Sequence, residues 1–207
     1  MRGSAYVMQH SAKSDRVLSL ARQSPIVRPR DVESIGVPRE YLLRLHRAGQ
    51  LERVGRGLYR LPNSPITEHH SFAQVASRVP RSVICLLSAL AFHEVGTQNP
   101  FEVWIAVPRG SRHPKLGSPP LRVTTLSGAA YSEGIEEHMI EGISVHIYGV
   151  AKTIVDCFRF RQKIGLDVAL EALRDSIRSK KTTINEIHRF AKLAGLERVM
   201  RPYLEAL

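Results

Sequence analysis

Long apolar runs are missing from this chain of 207 residues. The one run of note, residues 84–92, is less than half the roughly 20 residues that a membrane-spanning helix needs, so no membrane partner is expected. The opening residues lack the continuous apolar stretch of a secretory signal, and a cytoplasmic location is expected. Cysteine is scarce. Cys85 and Cys157 lie far apart in sequence, both in apolar surroundings. Two such thiols build neither a zinc site nor a disulfide framework, and they read as reduced core residues. No H-E-x-x-H spacing occurs among the nine histidines.

What the first third lacks is acid. Residues 1–65 carry 12 Lys and Arg against 5 Asp and Glu, whereas residues 66–207 carry 18 against 14. The net charge of +11 is therefore concentrated near the N-terminus, where 11 of the 12 basic residues are arginine. The planar guanidinium fork suits phosphate oxygens and guanine edges. Charge alone also serves solubility, so its meaning depends on where the arginines sit.

Three short helical patterns open the chain. Ser14 and Asp15 offer an N-cap to Val17, Leu20 and Ala21, and this helix ends by Ser24-Pro25. A second helix begins near Pro29, carries Val32 and Ile35 inward and stops at Gly36. Val37-Pro38 opens a third, with Leu42 and Leu45 toward the core and Arg39, Tyr41, Arg44 and Arg47 on the other faces, ending at Gly49. Leu51 and Val54 then lead into Gly55-Arg56-Gly57, and Leu58 to Leu61 return as a strand, which is a hairpin pattern. Three helices and a hairpin make a winged helix-turn-helix. Its third helix would enter the major groove of double-stranded DNA, with Arg39, Tyr41 and Arg44 toward base edges. Arg56 at the wing tip, flanked by Arg53 and Arg60, would lie along the backbone, and Arg28, Arg30 and Arg47 complete the candidate DNA-binding set.

The run from Val37 to Leu61, above all Gly55-Arg56-Gly57-Leu58-Tyr59, resembles the N-terminal winged helix of AbiEi-type antitoxins. The likeness continues through residues 86–90, 103–107 and 150–158. The resemblance implies a bacterial transcriptional autorepressor that binds inverted repeats in its own promoter. It further implies a type IV abortive-infection system, a form of phage defence, in which the chain counters a co-encoded nucleotidyltransferase-like toxin without a stable complex. Antitoxicity is then linked to the C-terminal domain.

Beyond the linker at residues 62–65, helices are expected over 67–78 and 82–95, strands over 102–107 and 121–126, a Pro/Gly-rich loop over 109–120, and a hairpin around Glu141-Gly142. Residues 150–207 read as helical, with Thr183 and Glu186 as a capping box. The expected fold class is α+β. A disordered arm at 1–13 precedes a winged helix-turn-helix at 14–63. A C-terminal α+β domain at 64–207 follows, with a small, mostly antiparallel sheet and a helical end.

Catalytic signals are thin, and no enzyme activity, cofactor or metal is expected. Ser88 and His93, five apart on one helical stretch, do not share a face. Glu68-His69-His70 and His113 lack ligand spacing, and Asp156, four residues after Lys152, reads as an i, i+4 ion partner or as a buried, hydrogen-bonded carboxylate. Arg109, Arg112 and Lys115 form a basic loop, Arg159, Arg161 and Lys163 a second basic group, and Lys180-Lys181 reads as a helix C-terminal pair. Three other readings stay open. One is a metal-dependent nuclease, which would need Glu102, Asp156 and Glu171 to converge. Another is an adaptor whose winged helix binds protein. The last is a general regulator without antitoxin activity.

Overall fold

The computed structural model describes residues 2–24, 26–62 and 67–207, with side chains from residue 12 onward. The expected linker therefore lies largely outside the described residues, as does Pro25. Two compact units are present: residues 1–78 with 139–143, and residues 79–138 with 144–207.

The first unit begins with α1 (Arg2–Gln23), α2 (Pro29–Ser34) and α3 (Glu40–Arg47). α1 starts twelve residues before the expected N-cap, so the stretch read as a disordered arm is helical. Ser14 and Asp15 therefore lie inside the helix and do not cap it. Gly36, at φ +71°, supplies the left-handed turn between α2 and α3 that an L side chain would resist. The wing follows as β1 (Glu52–Gly55) and β2 (Leu58–Arg60), paired antiparallel with Arg53 opposite Tyr59. Val27 adds a bridge to Tyr59 through two backbone hydrogen bonds of 2.7 and 3.0 Å, a third rung absent from the sequence reading. Val17, Val32, Val37, Leu42, Leu45 and Leu51 close the core.

α4 (His70–Arg78) also belongs to this unit, because it packs on β1 and Ser77 Oγ donates to Val54 O at 3.2 Å. The boundary expected after residue 63 therefore moves to residue 78.

The second unit contains β3 (Val83–Ile84), α5 (Leu86–Phe92), β4 (Val103–Pro108), β5 (Leu121–Leu126), α6 (Ala129–Ser132), β6 (Ile135–Ile140) and β7 (Ile143–Tyr148). It ends in α7 (Val150–Arg159), α8 (Arg161–Ile164), α9 (Leu166–Arg178), α10 (Ile184–Ala194) and α11 (Glu197–Glu205). The last residues of β6 and the first of β7 count with the first unit. Five strands form one sheet in the order β5-β4-β3-β7-β6.

This sheet is mixed, not mostly antiparallel. β3 runs antiparallel to β4 but parallel to β7, and β4 is parallel to β5 over six residue pairs. The twelve-residue loop after β4 returns the chain to the same end of the sheet, which is the length a parallel crossover requires. β3 is a second correction, since Val83-Ile84 had been read as the start of a helix. α7 is buried at every position from 151 to 158 and packs against α5, α9 and α10. At the start of α10, Thr183 Oγ1 accepts the Glu186 N–H at 3.2 Å. Glu186 in return accepts the Thr183 N–H at 2.9 Å, the expected capping box.

Candidate nucleic-acid interface

The two faces of α3 differ in chemistry. Tyr41, Leu42 and Leu45 point into the core, each no more than 2% exposed. Glu40, Leu43, Arg44 and Arg47, three and four residues apart, line the solvent face, with Arg39 exposed at the N-cap. This geometry corrects the placement of Tyr41, which was read as base-facing. Tyr41 lies four residues before Leu45 and shares its face, so the ring fills the core. Its ring supports the interface through Arg44, whose guanidinium sits over the ring, 5.0 Å from its centroid.

Leu43 is the residue that sequence reasoning missed. It is 40% exposed in the middle of an arginine-rich face. Leu43 directly follows the core residues Tyr41 and Leu42 in sequence, so nothing local marks it as solvent-facing. An apolar side chain at such a position can contact a thymine methyl in the major groove.

The wing turns at Arg56-Gly57, which places Arg56 in solvent at its tip. Arg53 is also exposed, its Nε donating to Gly55 O at 3.1 Å. Arg30 on α2 is exposed beside Asp31, at 3.6 Å. The described surface thus presents Arg30, Arg39, Arg44, Arg47, Arg53 and Arg56 to solvent.

Arg60 and Arg28 do not belong to that set. Arg60 is 6% exposed and bonds Glu52 at 3.0 Å and Glu141 at 3.4 Å. Arg28 is half-buried, and its guanidinium donates to Gly142 O at 2.6 Å. Both arginines serve the unit's interior, because carboxylate and carbonyl partners arrive from a turn that is distant in sequence. In that turn Glu141 and Gly142 both have positive φ, +50° and +75°, the conformation of a two-residue hairpin turn of type I′. A Cβ on Gly142 would fall 2.9 Å from Ile26 Cβ, so only glycine fits there.

Glu141 is the hub of this network. Its carboxylate accepts from the Thr67 N–H at 2.9 Å, Thr67 Oγ1 at 3.1 Å and His70 Nδ1 at 2.7 Å, in addition to Arg60. Burial alone would raise its pKa. The hydrogen bonds from Thr67 and His70, with the His70 charge, outweigh burial and hold the carboxyl below its ordinary value.

The groups considered for catalysis have structural partners. Ser88 Oγ accepts the Trp104 N–H at 2.9 Å, and His93 Nε2 donates to Tyr148 O at 2.8 Å. His69 stacks on Phe72. His113 is exposed in the 109–120 loop, as are Arg109, Arg112 and Lys115. Glu102 pairs with Arg122, while Asp156 pairs with Lys152, and Glu171 lies against Gly96, so the three carboxylates do not converge. Among the described residues, no group of three or more His, Cys, Asp or Glu is placed to hold a metal ion. Burial pushes the Cys85 and Cys157 thiols well up, as suits inert core residues. Lys181 donates to His93 O and Glu94 O, so it caps α5 and not the helix that precedes it. Arg159 and Arg161 donate to Ala194 O and Phe158 O. Among the described residues, no helix is long and apolar enough to cross a membrane.

The fold is shared with a solved structure, that of the RV2827C protein from Mycobacterium tuberculosis. The match has a TM-score of 0.56 at 16% identity and covers 87% of this chain and 71% of that one. A comparison with curated proteins returned no match. Residues 15–62, the winged helix with its arginine-lined α3 and wing, match the family model described as transcriptional regulator, AbiEi antitoxin.

Proposed function

We propose that this chain is a DNA-binding regulator that represses its own operon and serves as antitoxin of a type IV toxin–antitoxin system. It counters a nucleotidyltransferase-like toxin without forming a stable complex with it, and acts by binding without turnover. The observation that carries the DNA-binding reading is the solvent face of α3, where Arg39, Leu43, Arg44 and Arg47 stand opposite a fully buried stripe. A helix of this form inserts side chains into the major groove while the wing arginines, Arg53 and Arg56, track phosphates. The family match over residues 15–62 supports the regulator and antitoxin roles. Inverted repeats in the promoter follow from the same family reading.

The test is a gel shift of the whole chain on its own upstream DNA against a scrambled duplex, over a salt series. A repressor prefers the upstream DNA and weakens steeply as salt rises. Equal binding to both duplexes at every salt concentration overturns sequence-specific regulation. For the antitoxin role, co-expression with the neighbouring toxin gene should restore growth, and co-purification should recover no stoichiometric complex. Persisting toxicity, or a stable complex, removes the type IV assignment.

A further inference from the structure

A groove at one edge of the five-stranded sheet joins the aromatic rim of the core, Trp104 and Phe160, to two exposed cations, Arg122 and Lys163. β5 is the edge strand, and residues 122–124 on it face the α7–α8 junction across a cavity of about 370 Å³. Its walls are aromatic and cationic. Trp104 on β4 and Phe160 between α7 and α8 supply the rings, and Arg122 and Lys163 supply the charges. The Arg122 guanidinium lies over Trp104, 5.5 Å from the ring centroid, and Lys163 Nζ lies over Phe160 at 5.6 Å. Glu102 pairs with Arg122 at 3.4 Å and offsets one of the two cations. Ser88 anchors the Trp104 backbone, and Leu86 closes the back of the cavity at φ +47°, a conformation that a leucine rarely adopts.

This lining selects among ligand chemistries. An apolar ligand has no use for two cations, and a free phosphate has no use for two rings. A nucleotide uses both, since bases stack on aromatic rings and guanidinium planes while their phosphates pair with flanking Arg and Lys. The volume suits a single small ligand. Bases inside a duplex are stacked away from such a groove, so the base must be unpaired.

We propose that this groove binds an unpaired nucleotide of single-stranded nucleic acid. The base lies against Arg122–Trp104 and Phe160, with its phosphates on Arg122 and Lys163. All of these residues belong to the second unit, and the site is independent of the regulator reading.

Trp104 is the only tryptophan of the chain, so its fluorescence reports this groove, and the winged helix contributes none. Titrating the full chain with a 12-nucleotide oligouridylate should quench that fluorescence to saturation. Arg122→Gln and Lys163→Gln, at exposed side chains, should each weaken binding and each reduce the slope of log K against log salt by about 0.7. Phe160→Leu keeps an apolar side chain but removes the stacking face, and should weaken binding roughly fivefold or more. Arg44→Ala and Arg56→Ala should leave the titration unchanged. The proposal is overturned by absence of quenching, by equal quenching with duplex DNA or with uridine monophosphate at matched concentration, or by Arg122→Gln and Lys163→Gln proteins that titrate like the parent. Dependence on Arg44 or Arg56 would place the strand on the winged helix and likewise end it.

Discussion

Arg44 rests on Tyr41: a fully buried ring holds the exposed guanidinium over its face, 5.0 Å from the centroid. The core thus sets the direction of a side chain on the reading face. A flexible arginine that is already oriented loses less freedom on meeting a base.

Arg44→Ala should therefore separate recognition from stability. The unfolding free energy measured in urea should change by no more than about 0.5 kcal/mol, as for ordinary surface changes. Binding to operator variants should lose roughly 1–3 kcal/mol of discrimination at one base pair. Unchanged discrimination at every position would remove Arg44 from the reading face.

Leu43→Ala should lower affinity only where the operator presents a thymine methyl. Parent protein should bind thymine-containing DNA more tightly than the same duplex with deoxyuridine, and the variant should bind both equally. If the parent ignores the methyl groups, Leu43 is a bystander.

The arginines of the wing should divide by burial. Arg56→Ala should weaken binding to all sequences alike and lower the slope of log K against log salt by about 0.9. Arg60→Ala should leave the affinity of the folded fraction intact but destabilise the first unit by about 1–3 kcal/mol, because Glu52 and Glu141 would each lose a charged hydrogen-bond partner. Chemical unfolding followed beside a binding titration distinguishes the two outcomes.

Stability should fall in acid through Glu141. Its carboxyl is held below the ordinary value in the folded chain, so its contribution is present above the unfolded value of about 4.3 and is lost as pH falls through the folded one. Urea midpoints measured from pH 6 down to pH 3 should decline, and Glu141→Gln should flatten part of that decline while lowering stability at neutral pH. A decline of the same steepness in the variant would assign the effect to other carboxylates.

The Lys152–Asp156 pair is buried in α7, with Asp156 Oδ1 lacking a hydrogen-bond partner among the described residues. Burial pushes the Asp156 carboxyl up, and Lys152 offsets this only in part. Asp156→Asn should cost about 3–5 kcal/mol by stranding the ammonium, while Lys152→Met with Asp156→Leu should recover most of the loss. Denaturant titration of the single and double variants measures this; a double variant as unstable as the single would show that packing, not charge, sets the cost.

Local pattern carried much of this fold. The turn at Gly36, the hairpin at Gly55-Arg56-Gly57 and the Thr183–Glu186 capping box are written in a few adjacent residues, and each is found where spacing puts it. The exposure of Arg39, Arg44, Arg47, Arg53 and Arg56 follows from the same periodicity. Tyr41 escaped because its hydroxyl suggests a surface position, although its spacing from Leu45 matches the core. Val83-Ile84 escaped because two apolar residues ahead of a helix have no period that marks a strand. Arg60 and Arg28 were misplaced for a different reason. Their partners, Glu141 and Gly142, lie more than 80 and 110 residues away, and no local rule reports a contact made at that separation.

That separation has a consequence for biosynthesis. When the ribosome has released the helices, the wing and α4, the winged unit still lacks the Glu141-Gly142 turn that takes the charge of Arg60 and the donor of Arg28. About 65 more residues must emerge first, roughly 3 to 13 seconds at ordinary elongation rates. Until then Arg60 has only one of its two carboxylate partners, Glu52. The winged unit is therefore complete only after nearly half of the second unit has been made, so products truncated before the turn should be less stable.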